Sequence, residues 1–63
     1  MMILQRIMLS RPASARAIWV QPEIYYQLLE IGVLQFEHSY VLLQGLEVRP
    51  MSHMNCDFKF SDN

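Results

Sequence analysis

Among the residues able to do chemistry, one cluster has the spacing of a ligand set: His53-x-x-Cys56, with Asp57 adjacent and His38 upstream. Zinc takes four such groups in a tetrahedron, and a turn commonly supplies two of them. The other two would have to be His38 and an acid. Local patterning works against this. Cys56, Phe58 and Phe60 alternate with Asp57 and Lys59, so a strand there points Cys56 inward and Asp57 outward, and one ion cannot take both without distorting the strand. The same His53 and Cys56 could serve as base and nucleophile. An activated thiol needs an electropositive setting, and the nearest charge is Asp57. A buried thiol and a solvated loop histidine are the preferred reading, with no metal site and no cofactor.

Other chemistries find no constellation. Glu23, Glu30, Glu37 and Glu47 are spread along the chain, and Gly32 and Gly45 are the only glycines, so no phosphate-cradling loop exists. A pocket of several hundred cubic ångströms is hard to build in so short a chain without emptying its core. The chain is read as non-enzymatic.

Size and composition limit what remains. Sixty-three residues make one domain, 1–63, and a chain this short buries only about 60% of its unfolded surface. Cys56 is the only cysteine, which excludes an intrachain disulfide and suits a reducing, cytoplasmic setting. Hydrophobic residues make up 52% and charged residues 17% of the chain, against about 25% charged in ordinary domains. Not all of that apolar surface fits inside, so an exposed patch for a partner or for a second copy is expected.

Net charge is −1, unlike a strongly basic nucleic-acid binder. Its distribution is uneven: Arg6, Arg11 and Arg16 all precede the first acid, Glu23, after which six acids face Arg49 and Lys59. An arginine arm contacting phosphates is the second functional reading.

The elements that must position these groups follow from periodicity. Residues 1–9 are apolar apart from Gln5 and Arg6, too short to span a membrane. A strand is preferred there, with the helical spacing of Ile3, Arg6 and Ile7 as the competing choice. The acid-free start also has the composition of a transit peptide, but its removal would leave a very small domain. Pro12 and its small polar neighbours make a loop. Ala17–Val20 reads as a strand whose Trp19 goes to the core or anchors an interface.

Pro22–Ile31 is the clearest helix, with proline at its first position, Glu23 in the first turn and Gly32 as a left-handed stop. A short strand or extended turn follows at 33–37, then a strand at 40–43. Gly45 marks either a bulge or a tight turn separating Tyr40–Leu43 from Leu46–Arg49; the bulge, which joins 40–49 into one kinked strand, is preferred. Gly45–Phe60 is expected to close as an antiparallel hairpin, with Arg49 opposite Asp57, Glu47 opposite Lys59, Val48 opposite Phe58 and Leu46 opposite Phe60.

The runs W-V-Q-P-E-I-Y-Y-Q-L-L-E-I-G and L-L-Q-G-L-E-V-R-P are faintly similar to patterns in small phage-encoded reading frames and viral head proteins, a similarity that transfers no functional residue.

The expected architecture is α+β: three or four short antiparallel strands packed on one helix, in the order β-β-α-β-β. The expected function is a small interaction module of accessory or inhibitor type, as phages or mobile elements encode, binding a protein partner or forming a homo-oligomer. Its surface would be an N-terminal edge strand recruiting a partner by strand addition, through Ile3, Ile7 and Leu9, with Tyr26, Met51 and Met54 beside it. The alternative is a weak nucleic-acid binder using Arg6, Arg11 and Arg16.

Overall fold

The computed structural model describes residues 2–63, and its organising strand is β1 (Ala17–Val20). A-I-W-V puts Ile18 and Val20 on one side and Ala17 and Trp19 on the other, as the two-residue period of a strand requires. Ile18 and Val20 are fully buried. Around β1 forms a five-stranded mixed sheet of order β2-β3-β4-β1-β5, where β2 is Gln35–Glu37, β3 Tyr40–Leu43, β4 Leu46–Pro50 and β5 Phe58–Ser61.

Two helices, α1 (Ile3–Ser10) and α2 (Pro22–Ile31), pack against a single side of it. Their buried residues Ile3, Ile7, Ile24 and Leu28 join Ile18, Val20, Leu43, Leu46 and Val48 in one apolar cluster. Burial of each large member stabilises the fold by about 1.5–3 kcal/mol.

The class is α+β, but the arrangement corrects the expected one in strand number, in helix number and in the purely antiparallel sheet. The N-terminal stretch is helix. Ile3 and Ile7 lie four residues apart, both buried, while Gln5, Arg6 and Leu9 are exposed. That one-sided stripe is what tertiary contact rewards in a run too apolar to classify by period alone.

The C-terminal hairpin is also overturned. β4 and β5 do not pair with each other, because β1 lies between them. β4 runs parallel to β1, with Ile18 beside Val48 and Trp19 beside Arg49. β5 runs antiparallel to β1, with Ile18 beside Phe60 and Trp19 beside Lys59. The faces expected for Leu46, Val48, Phe58 and Phe60 hold, while the neighbours are different. Inserting β1 sets the fully buried Ile18 between Val48 and Phe60, so its side chain adds to the apolar row that those strands supply.

Residues 40–49 are two strands. Gln44 at φ 50° and Gly45 at φ 85° make a two-residue turn between them, with Leu43 opposite Leu46 and Leu42 opposite Glu47. Two consecutive positive φ values give the turn whose twist matches an antiparallel pair. The helix Pro22–Ile31 lies where its signals place it. Gly32 stands at φ 74° and its N–H donates to the Leu29 carbonyl at 3.1 Å.

Candidate functional site

Because α1 and α2 share one side, the opposite face of the sheet is bare. Alternation in β1, β4 and β5 sends Trp19, Glu47, Arg49 and Lys59 there. Trp19 is partly buried and lies outside the core cluster. The Arg49 guanidinium lies over its ring, 5.2 Å from the centroid, and Arg49 Nε donates to Glu47 Oε1 at 2.7 Å. Trp19 therefore has a cation over its ring, and that cation is neutralised by its own neighbour. Continuing the β3–β4 register sets Tyr40, half exposed, beside Arg49. Glu37 lies beyond Tyr40.

At one end of this face the β4–β5 connection, Met51–Asp57, crosses the end of β1. Gln21 ties it down. Its Nε2 donates to the carbonyls of Met54 at 3.1 Å and Cys56 at 3.0 Å, and its backbone N–H donates to the Asp57 carbonyl at 3.0 Å. The Met51 N–H donates to the Val20 carbonyl at 2.8 Å. His53 sits in the left-handed region at φ 67°, a backbone conformation uncommon for a residue other than glycine.

Between this loop and the sheet lies an open cleft of about 540 Å³. It is lined by Trp19, Met51, Met54, His53, Asn55, Cys56, Lys59, Phe60 and Ser61. That volume falls within the range of small-ligand sites. A short chain forms it without hollowing its core, because the wall is a loop laid over the sheet surface.

The residues singled out from sequence separate in space. Ile3 and Ile7 are core, which removes them and the edge-strand mechanism from the partner surface, whereas Leu9 is 74% exposed on α1 and Tyr26 is exposed on α2. Met51 and Met54 border the cleft.

The three arginines do not converge. Arg6 Nη2 lies 3.1 Å from Asp57 Oδ2, at the end of the sheet where β5 begins. Arg11 Nη1 donates to the Gln44 carbonyl at 2.8 Å, at the β3–β4 turn. Those are opposite ends of β1. Arg16 is exposed just before β1. Cys56 is exposed and precedes β5, which corrects its expected inward position. Among the described residues, no group of three or more His, Cys, Asp or Glu side chains could hold a metal ion together.

Sequence reasoning missed Arg49, Lys59 and Gln21. The signal for the first two was present: Trp19 is out of phase with Ile18 and Val20, so its cross-strand neighbours share the bare face. Gln21 carried no such signal, since its role depends on a loop more than 30 residues away. No known protein family, no curated protein and no solved structure matches the chain.

Proposed function

We propose that this chain is a non-enzymatic interaction module that binds a protein partner through the bare face of its sheet, centred on Trp19. One observation carries this: both helices cover the same side, leaving the only tryptophan, with Arg49 across its ring, on the uncovered side. Tryptophan and arginine dominate the energetics of protein interfaces, and a ring already fixed by its neighbours loses little freedom on binding. Charge on this face is balanced, with Arg49 and Lys59 against Glu37 and Glu47, so it lacks the positive field that a polyanion needs. The arginine-arm alternative is weakened by the dispersal of Arg6 and Arg11 to opposite ends of the sheet. An exposed free thiol at Cys56 suits the reducing cytoplasm.

The test is affinity capture from the native host's lysate with wild type, Trp19→Glu and Leu9→Glu, alongside light scattering to count copies. Partners should be lost with Trp19→Glu and kept with Leu9→Glu, which alters the helical side. Capture that ignores Trp19→Glu in a folded variant would sink the proposal.

A further inference from the structure

The cleft beside Trp19 has a chemical bias that the rest of the face lacks. No Asp or Glu lines it. Lys59, at its edge, has no ion-pair partner among the described residues, whereas Arg6 and Arg49 each have one. Gln21 takes the carbonyls of Met54 and Cys56. Among the described residues, the backbone N–H groups of Ser52 through Cys56 donate to no acceptor in the chain. Two of the loop's carbonyls are thus taken, while these five N–H groups have no partner among the described residues. Unpaired N–H groups beside a cation favour an anion. The lining also includes the Trp19 ring, Phe60 and the Met51 and Met54 side chains, which favour an apolar body, alongside the polar His53, Asn55 and Ser61.

We propose that this cleft binds a carboxylate attached to a bulky apolar group, the chain end of a partner whose last residue is apolar being the source that fits best. The inference rests on the interaction reading and names the chemistry of the contact. A free amino acid fits poorly, because its ammonium would meet Lys59 with no acid to receive it. The last residue of a peptide carries the same carboxylate with a neutral amide in place of that ammonium. A small apolar acid without an amine shares the recognised chemistry and is the second source.

Trp19 is the only tryptophan, so its fluorescence reports the site directly. The probes are Gly-Gly-Gly-Phe with a free C-terminus, the same peptide amidated, phenylacetate and phenethylamine, each titrated into the whole chain. The free-acid peptide should give a saturable change. The amidated peptide, or the Lys59→Met variant with the free acid, should bind about fivefold to tenfold more weakly, as loss of one solvent-accessible charged hydrogen bond implies. Lys59→Arg should keep binding. Phenylacetate binding more weakly than the peptide supports a chain end as the ligand, and phenylacetate binding as tightly or more tightly supports a free acid. Equal binding of acid and amide, or of phenylacetate and phenethylamine, overturns the proposal, as does no binding at all. If the titration fails while capture still depends on Trp19, only the ligand chemistry is wrong. If capture also ignores Trp19, both proposals fall.

Discussion

The covered and bare faces of the sheet come from alternate residues of the same strands, yet they are held in different ways. On the covered face Ile18, Leu28, Leu43 and Leu46 are wholly enclosed and held by shape and exclusion of water. On the bare face Trp19, Arg49 and Glu47 are held by a ring–cation contact and a charged hydrogen bond, with water close by. The first arrangement leaves no group free to meet a ligand. The second leaves a flat aromatic surface and an unpaired lysine. One residue of β1 therefore commits to stability while the next remains available for recognition.

Truncation breaks or sustains this contrast most directly. Leu28→Ala removes a fully buried side chain and should cost about 2–5 kcal/mol. A chain of this length has on the order of 3–9 kcal/mol in total, so the variant should lose a large share of its stability and unfold at a much lower urea concentration. Trp19→Ala should keep a cooperative transition in urea. Equal losses from the two would mean that Trp19 is a core residue after all, and the division between the faces would collapse.

The cleft loop offers a smaller effect. Gln21→Ala removes two hydrogen bonds to the Met54 and Cys56 carbonyls, for about 1–2 kcal/mol at roughly 1 kcal/mol each. Hydrogen exchange should quicken at residue 21, whose N–H donates to the Asp57 carbonyl, and leave Leu28 at its global rate. Slower binding or loss of the free-acid peptide in this variant would tie the loop's conformation to the cleft. Unchanged exchange at residue 21 would show that the Gln21 side chain does not hold the loop.

These contrasts also show what the sequence made legible. Period two assigned Leu46, Val48, Phe58 and Phe60 to one face, because alternation is a local property of a strand. It did not identify β1 as their common neighbour. Side-chain period carries no information about which strand lies alongside, and the opposite charges of Arg49 and Asp57 made the wrong pairing look satisfied. Asp57 in fact meets Arg6 from a helix. The signals of α2 were legible because Pro22 and Gly32 bound it chemically. Those of α1 were not, since an almost uniformly apolar run suits either period and only tertiary contact selects Ile3 and Ile7.

Gly45 leaves bulge and tight turn both open, with the bulge preferred, because a lone glycine between apolar runs marks either device. Gln44 at φ 50°, which decides for a turn, has no such marker. The cleft was illegible for a similar reason. It depends on β1 entering between β4 and β5, which forces their connection over the sheet end. Gly45→Ala should cost about 1–2 kcal/mol from the left-handed backbone alone, because a Cβ there would meet only Arg11 Nη2 at 4.0 Å. A change in denaturation midpoint with unchanged slope would support that view, whereas a neutral substitution would contradict the turn.

A double-mutant cycle on Trp19 and Arg49 measures how the bare face is organised. The ring–cation contact should give a coupling of about 0.5–1 kcal/mol, the range for partly exposed pairs. Coupling near zero would mean that Trp19 is positioned by the strand alone, and its orientation for a partner would need another cause.

The smallest expected effect lies at the rim of the covered side, where Arg6 meets Asp57 and also lies 5.7 Å from the Phe58 ring centroid. Both charged side chains are about half exposed, at 47% and 48%, so solvent screens the pair. Arg6→Ala should cost about 0.5 kcal/mol or less through the ion pair. The two contacts can be separated by salt. A loss that vanishes in 1 M salt, where screening acts over about 3 Å, belongs to the carboxylate. A loss that persists belongs to the guanidinium lying against Phe58, as packing on an aromatic face is far less sensitive to ionic strength. The second outcome would extend the arrangement of the bare face, an arginine laid on an aromatic ring, to the edge of the covered one, and would make polar stacking a feature of both sides of the sheet.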